Sequence, residues 1–227
     1  MDIEKYWQEQ NSFFTDIRGK SLPHGGISLD DANELYALMG KNVYNTNHNR
    51  RNPQIAELGC WTGMSTVILG NIAKENGGRV VSIDSFKGAE TDNLEDSARV
   101  FNIRLICETN LKNSGVRDQV ELIDSKTEEA ASKFPDEHFD AIFIDADHRY
   151  AAVKKDIELW TPKVKKGGLI CGHDCDILLT NGLESIYTKW GHQNWVGFHL
   201  GVARAVTEAF PLAKKVSTGV IWYTVKQ

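Results

Sequence analysis

The chain has 227 residues, 41% of them hydrophobic and 25% charged, a composition typical of one folded globular unit. Its formal net charge of -5 excludes the broad basic surface that binding to a nucleic-acid backbone or an anionic membrane needs. The N-terminus lacks a secretory pattern, and no apolar run reaches the roughly 18 residues of a membrane span. We therefore expect a cytoplasmic protein with four reduced cysteines and a small-molecule partner, and the composition leaves a homo-oligomer open.

The predicted elements form a single domain over residues 1–227. Residues 1–50 are expected to be an N-terminal helical cover, with an N-capping box at Ser28, and residues 51–227 an α/β core that carries the site. In the core, short apolar segments alternate with amphipathic helices, which is typical of a mostly parallel sheet with helices on both faces. The predicted strands are 54–58, 80–84, 120–124, 141–145, 168–172 and 219–225, with a seventh near 214–217.

The turn after strand 54–58 is the first candidate site. Gly59 and Gly63 stand where the backbone must turn tightly and approach a ligand. Strand 80–84 ends in Asp84, whose carboxylate can accept hydrogen bonds from both hydroxyls of a ribose. The glycine spacing departs from the Gly-x-Gly-x-x-Gly pattern of dinucleotide folds, which disfavours a nicotinamide-dependent dehydrogenase. Together the glycines and Asp84 predict a ligand that contains a nucleoside.

The segments "IAELGCWTG" and "VVSIDSF" resemble the first two motifs of the class I S-adenosylmethionine-dependent methyltransferases, and the likeness extends over nearly all of residues 25–227. The resemblance implies their Rossmann-like α/β fold, a seven-stranded, mostly parallel sheet with helices on both faces and an antiparallel edge strand. It also implies S-adenosylmethionine as the cofactor. The implied cofactor residues are Glu57, Gly59 and Gly63 for the methionine part, Asp84 for the ribose, Asp124 and Ser125 for the adenine edge, and, in addition, Ser85 and Asp145. Ser125 is equally well explained as a helix N-cap.

Ionisable residues follow two further strands. Asp145 ends strand 141–145, and His173 and Asp174 follow strand 168–172. Adjacent strand ends lie roughly 5 Å apart, so these three side chains can converge on one divalent cation. The alternative is that His173 only orients Asp174 or contacts the substrate.

The segments "FIDADHRY" and "GGLICGHD" resemble the metal-dependent O-methyltransferases, such as the catechol and caffeoyl-CoA enzymes, and more closely their bacterial sugar- and antibiotic-tailoring relatives. The resemblance implies a metal, Mg²⁺ or Mn²⁺, bound by Asp145, His173 and Asp174. The imidazole of His173 departs from the family pattern and also suits other transition metals. His148 stands where the catechol and caffeoyl-CoA enzymes carry a lysine, so it is the predicted general base, with Asp147 as its rival.

These residues predict S-adenosylmethionine-dependent O-methylation, assisted by a divalent metal, of a small hydroxylated acceptor such as a sugar or natural-product intermediate. One alternative is a metal-independent O- or N-methyltransferase in which Asp147 or His148 is the base. The other is a non-catalytic protein that binds S-adenosylmethionine or S-adenosylhomocysteine. Residues 85–101 and 175–200 are expected to form the rim of the acceptor pocket, where Trp190, Trp195 and Phe198 either contact the substrate or pack internally.

Overall fold

The computed structural model describes residues 2–5, 8, 26–45, 52–88, 94–178 and 199–227. Trp190, Trp195 and Phe198, the predicted aromatic rim, lie outside these residues. The helices are α1 (Leu29–Asn45), α2 (Met64–Glu75), α3 (Leu94–Val100), α4 (Ile103–Asn113), α5 (Thr127–Ala130), α6 (Tyr150–Trp160) and α7 (Leu200–Ala209). The strands are β1 (Gln54–Leu58), β2 (Arg79–Asp84), β3 (Val120–Asp124), β4 (Phe139–Ile144), β5 (Val164–Gly172), β6 (Lys214–Lys215) and β7 (Trp222–Val225).

The strands form one seven-stranded sheet in the order β3-β2-β1-β4-β5-β7-β6. The pairs among β1 to β5 are parallel, whereas β7 runs antiparallel to β5 and β6 antiparallel to β7. This confirms the predicted fold, including all seven strands. The boundaries differ most at β5, which begins at Val164 and not at 168, and at β7, which begins at Trp222 and not at 219. Smaller differences occur at β4, which spans Phe139–Ile144 and not 141–145, and at the shorter β6.

Both faces of the sheet are covered, as the near-continuous apolar strands predict. Alternate residues of β4 enter different clusters: Ala141 and Phe143 join the core under α1, α2 and α4, while Ile142 and Ile144 join the core under α6 and α7. Side chains of a strand point alternately to opposite faces, so a strand buried on both sides needs apolar residues at every position. The β4 segment meets this condition from Ala141 onwards, whereas its Asp140 is a buried carboxylate whose oxygens accept hydrogen bonds.

The N-terminal part supplies α1, which packs on α2. Its first turn has the predicted cap, because Ser28 Oγ accepts a hydrogen bond from the Asp31 backbone N–H at 3.1 Å. The second predicted cap, at Ser125, is wrong. The N-cap residue of α5 is Lys126, and the Ser125 hydroxyl donates instead to the Lys126 carbonyl oxygen. The division into a cover of residues 1–50 and a core stays a prediction.

The strand order reverses direction between β1 and β4, and ligands of open α/β sheets bind at such a point, beyond the carboxyl ends of the strands. Gly59 follows β1 and Asp145 follows β4 at this reversal. Gly59 has φ +83°, and a Cβ there would lie 2.0 Å from the Asp145 carbonyl oxygen. The glycine is therefore needed for contact between the two turns that flank the site. Among the described helices, none combines the length and the apolar character that crossing a membrane requires.

Candidate active site

A cavity of about 700 Å³ opens at the carboxyl ends of β1 to β4. Most of the predicted cofactor residues line it, and they come from four consecutive strand ends. These residues are Gly59, Asp84, Ser85, Asp124, Ser125 and Asp145. The four strand ends therefore bring residues distant in sequence to one cavity of the size that ligand sites have.

Glu57 and Gly63, also predicted to bind the methionine part, lie below this cavity. The Glu57 carboxylate is fully buried and accepts hydrogen bonds from the hydroxyls of Ser65 (2.6 Å), Thr66 (2.7 Å) and Ser82 (2.6 Å). Burial raises the pKa of Glu57 to about 7, against the opposing effect of these hydroxyls. Glu57 thus ties the start of α2 to β1 and β2, and its contact with a cofactor stays a prediction.

Gly63 is the N-cap residue of α2, with φ +89°. A Cβ at this position would lie 3.0 Å from Cys107 Sγ on α4. The left-handed backbone and the close contact both favour glycine. Gly63 therefore lets the loop of residues 59–63, called here the glycine loop, pass into α2 directly against α4.

Asp84 holds the glycine loop from the next strand. Its Oδ2 accepts hydrogen bonds from the backbone N–H groups of Cys60 (2.8 Å) and Trp61 (2.7 Å), and its Oδ1 accepts one from Phe86 N–H (2.7 Å). Burial raises the pKa of Asp84 despite these hydrogen bonds. Oδ1 keeps acceptor capacity for a ribose hydroxyl, since each carboxylate oxygen has two lone pairs.

Beyond Asp145, the carboxylates and imidazoles of three chain segments meet. His173 Nδ1 lies 3.2 Å from Asp174 Oδ1 and 3.8 Å from Asp145 Oδ1. One ligand atom from each of these residues falls within 4.8 Å of the others. The predicted convergence of Asp145, His173 and Asp174 is therefore present in the geometry, and their atom types suit a divalent cation.

His148 contacts the same group. Its Nε2 lies 2.8 Å from Asp174 Oδ2 and 3.8 Å from Asp145 Oδ1. Asp174 adopts the left-handed backbone region, with φ +56°, which is uncommon for a non-glycine residue. Burial would raise the pKa of Asp174, but hydrogen bonds from His148 and His173 outweigh it and lower that pKa well below its usual range.

Asp147, the rival base, has a different environment. Its carboxylate accepts hydrogen bonds from the Arg149 backbone N–H (2.8 Å) and from the Arg149 guanidinium at Nε (2.8 Å) and Nη2 (2.5 Å). Asp147 and Arg149 both line the large cavity. The arginine occupies the oxygens with which Asp147 would approach an acceptor hydroxyl, which favours His148 as the base.

Two residues of the site escaped the sequence reasoning. Asp31 of α1 is 4% exposed, and its Oδ2 lies 3.4 Å from His173 Nε2. His199, directly before α7, has Nδ1 3.4 Å from Asp174 Oδ1 and 3.5 Å from Asp176 Oδ2. The capping box explained Asp31 fully at the level of sequence, and His199 lies in a segment without strand periodicity. Only the tertiary packing of α1 and α7 brings them to the site.

We call these six side chains the imidazole cluster: Asp31, Asp145, His148, His173, Asp174 and His199. Burial would lower the pKa of His173, but the nearby charge of Asp145 and hydrogen bonds with Asp174 and Asp31 raise it well above its usual value. The pKa of Asp31 is lowered, because hydrogen bonds from His173, Ser28 and Val220 outweigh burial. The cluster therefore holds carboxylates and imidazoles that favour each other's charged forms beside the cavity.

The residues fit both predicted ligands. For the cofactor, the cavity presents the carboxylate of Asp84 and the crowded Gly59, and Trp61 in its wall has a buried indole N–H with no hydrogen-bond partner among the described residues. For the cation, Asp145, His173 and Asp174 offer converging oxygen and nitrogen donors. Asp145 belongs to both sets.

Comparisons with known proteins agree with this geometry. Residues 56–175, more than half of the chain, match the family model described as a methyltransferase domain. None of the curated proteins matches the sequence. Solved structures with the same fold include a proposed caffeoyl-CoA O-methyltransferase from Staphylococcus aureus, which is 18% identical with a TM-score of 0.64 over 100% of this chain and 93% of that one.

Two further similar structures are the O-methyltransferases NovP and TomG. NovP is 14% identical, with a TM-score of 0.66 over 96% of this chain and 88% of its own. TomG, from Streptomyces achromogenes and solved with S-adenosylmethionine, is 14% identical, with a TM-score of 0.57 over 99% of this chain and 89% of its own. At these identities the structures show the shared fold, and the family model confirms the predicted S-adenosylmethionine-dependent methyltransferase. The chain belongs to the methyltransferase-domain family and has its class I fold.

Proposed function

We propose that this enzyme transfers the methyl group of S-adenosylmethionine to a hydroxyl of a small acceptor, such as a sugar or natural-product intermediate, with a divalent cation bound by Asp145, His173 and Asp174. The observation that carries the proposal is the position of Asp145. It lines the cavity in front of the glycine loop and is also a member of the imidazole cluster. A cofactor in the cavity and an acceptor at the imidazole cluster would therefore lie next to each other, on either side of Asp145.

The cavity residues have the task of binding and orientation. Asp84 keeps the glycine loop in place through its hydrogen bonds to Cys60 and Trp61 and offers its Oδ1 to a ribose. Asp124 and Ser125 lie at the end of β3, where they can contact the adenine edge. S-adenosylmethionine supplies a methyl group that is already a good electrophile, so alignment of the acceptor oxygen is the main requirement.

The imidazole cluster has the task of increasing the nucleophilicity of the acceptor oxygen. A divalent cation in this position lowers the pKa of a neighbouring hydroxyl. His148 is the proposed base because its imidazole lies between Asp145 and Asp174 and is only 15% exposed, close to where that hydroxyl would be held. A neutral imidazole nitrogen can accept a proton from such a hydroxyl, which is the usual role of histidine as a general base.

Transfer of a labelled methyl group from S-adenosylmethionine to a panel of sugars and phenolic natural products tests the proposal. We expect transfer that falls at least about 100-fold after chelation and returns with Mg²⁺ or Mn²⁺. His148→Ala should lower kcat by about 100-fold or more, as loss of a general base does. His138→Ala, at the opposite end of β4, is the matched control and should retain activity.

The outcomes separate the alternatives. Transfer that resists chelation but is lost in His148→Ala would favour the metal-independent methyltransferase. Full activity in His148→Ala together with loss in Asp147→Asn would transfer the role of base to Asp147. Tight binding of S-adenosylmethionine without transfer to any acceptor of the panel would instead favour the non-catalytic binding protein.

A further inference from the structure

We propose that His148, Asp174 and His199 form a second cation site, selective for borderline first-row ions such as Zn²⁺ and separate from the set of Asp145, His173 and Asp174. One ligand atom from each of the three residues lies within 4.8 Å of the others. Asp174 belongs to both sets. The histidines differ, because the first set contains His173 and the second contains His148 and His199.

The distances suit a small tetrahedral ion. Zinc binds imidazole nitrogen and carboxylate oxygen at about 2.0 to 2.2 Å, which places neighbouring ligand atoms roughly 3.3 Å apart. His148 Nε2 lies 2.8 Å from Asp174 Oδ2, and His199 Nδ1 lies 3.4 Å from Asp174 Oδ1. The rings of His148 and His199 meet edge to face with their centroids 4.6 Å apart. Small side-chain adjustments are enough to direct all three donors to one point.

The backbone fixes His199 in this position. A Cβ at Gly201 would lie 2.4 Å from the His148 carbonyl oxygen and 2.6 Å from Tyr150 N, so the first turn of α7 packs directly on the turn after β4. Asp176 Oδ2 accepts a hydrogen bond from the His199 backbone N–H at 2.8 Å. Both contacts hold the imidazole beside Asp174 before any ion binds, which reduces the cost of ordering a ligand.

The imidazole of His199 lacks a well-formed partner. Its Nδ1 is buried and has no partner in hydrogen-bond geometry among the described residues, although carboxylate oxygens lie 3.4 and 3.5 Å away. Such a buried donor or acceptor is costly, and an ion would satisfy it together with the two neighbouring ligands. An unsatisfied nitrogen therefore lies beside two carboxylates, in addition to the converging donors.

The donor types determine the class of ion. Two imidazoles and one carboxylate are the ligands of many zinc sites that keep an open position. Mg²⁺ prefers an octahedral set of oxygens and retains its waters, so it favours the more carboxylate-rich set of Asp145, His173 and Asp174. The two sets therefore differ in the ion that they select.

This selectivity predicts inhibition by Zn²⁺. Only this inhibition, and not the second site itself, rests on the proposed function. His148 is the proposed base, and an imidazole nitrogen that coordinates Zn²⁺ cannot accept a proton. Zn²⁺ at the second site would therefore inhibit the methyl transfer that Mg²⁺ or Mn²⁺ supports. Shared use of Asp174 strengthens the effect, because one carboxylate must serve both ions.

Metal titration of the full chain, freed of metal by chelation, tests the site without any turnover. Isothermal titration calorimetry with Zn²⁺, and the visible absorption of Co²⁺ as a second probe, give affinity and stoichiometry. We expect His199→Ala and His199→Asn to weaken Zn²⁺ binding at least about tenfold, since even outer-shell partners of a metal contribute this much. His138→Ala, which removes an imidazole outside the site, should bind Zn²⁺ as the unsubstituted chain does.

Equal Zn²⁺ affinity and stoichiometry in the unsubstituted chain and both His199 variants would overturn the proposal. So would the absence of Zn²⁺ binding at 100-µM concentrations, about the weakest affinity that would matter for such a site. Circular dichroism of each variant checks that the fold is retained. Because neither cofactor nor acceptor is present, a failure of the proposed methyl transfer leaves this result unchanged, and the reverse also holds.

Discussion

The glycine-loop region and the imidazole cluster use buried carboxylates in opposite ways. Glu57 and Asp84 accept hydrogen bonds from hydroxyls and backbone N–H groups, and burial raises the pKa of both. Asp31 and Asp174 face imidazoles, and their pKa values are lowered. Glu57 and Asp84 lie on β1 and β2, whereas Asp174 follows β5 and Asp31 is on α1. The difference teaches that burial disfavours the charged form of the carboxyls in the first region, which positions a ligand, whereas imidazoles favour the charged form of the carboxyls in the second.

The largest effect is expected where the two regions touch. Gly59→Ala would place a Cβ 2.0 Å from the Asp145 carbonyl oxygen at a residue with φ +83°. Overpacking and backbone strain together should lower the free energy of unfolding by about 4 kcal/mol or more. Urea denaturation measures this change. The matched control is Gly167→Ala, which has φ +71° but no atom within 4 Å of the added Cβ, and should cost only about 1 kcal/mol.

This pair of variants isolates the close contact from the backbone strain. If both substitutions had the same cost, the left-handed backbone alone would explain Gly59, and the two turns could move apart. The glycine-loop region and the imidazole cluster would then be structurally independent of each other. A large difference would show that the cofactor cavity and the imidazole cluster are mechanically joined at Asp145.

The next effect comes from the buried carboxyl of Glu57. Its pKa is raised from 4.5 to about 7 by burial, and this difference corresponds to about 3 kcal/mol. A raised pKa in the folded state contributes stability below the unfolded value, and this contribution is lost as pH rises toward 7. Glu57→Gln cannot ionise, so its stability relative to the unsubstituted chain should increase by up to about 3 kcal/mol between pH 4.5 and 7.5.

Urea denaturation at several pH values gives the difference directly. Glu121→Gln, on the exposed side of β3, is the control and should show no such pH dependence. A flat difference for Glu57→Gln would mean that its three hydroxyl donors keep the carboxylate ionised in the fold. The glycine-loop region would then be charged, like the imidazole cluster.

Most of the fold could be predicted from the sequence, and so could the site residues that follow strands. Buried strands leave a local signal, because residues 141–144 of β4 are all apolar, and a polar residue after such a segment is easy to identify. Asp84, Asp145 and Asp174 were found in this way. Strand ends could not reveal Asp31 and His199, because α1 and α7 bring them to the site through packing of distant segments. The Ser125 cap is wrong because the N-cap position of α5 falls one residue later, at Lys126.

Asp31 gives a smaller effect that tests the charged side alone. Asp31→Asn keeps the shape of the side chain but removes the negative charge 3.4 Å from His173 Nε2. Carboxylates that orient a metal-binding histidine typically contribute 10- to 100-fold in metal affinity. Because the separation of 3.4 Å makes this a long and weak hydrogen bond, we expect the low end of that range, about a tenfold loss of Mn²⁺ affinity, measured by calorimetry.

Asp30→Asn is the matched control, because Asp30 stands beside Asp31 in the first turn of α1 but is exposed. Both substitutions weaken the favourable interaction with the helix dipole equally. A loss of Mn²⁺ affinity in Asp31→Asn alone therefore measures the effect on His173. Equal affinities in both variants would restrict Asp31 to capping α1 and binding the Val220 N–H.

The smallest effect is expected for Asp124, an exposed residue of the predicted cofactor site. Asp124 lines the cavity, but its side chain is 52% exposed and lies 3.6 Å from Arg104 Nη1. Hydrogen bonds at such exposed positions compete with water and contribute little. Asp124→Ala should therefore weaken S-adenosylmethionine binding only about threefold, whereas Asp84→Ala, which releases the glycine loop, should weaken it much more. Equilibrium dialysis with labelled cofactor compares the two, and an equal or larger loss in Asp124→Ala would place the main anchor of the cofactor at the adenine end and not at the glycine loop.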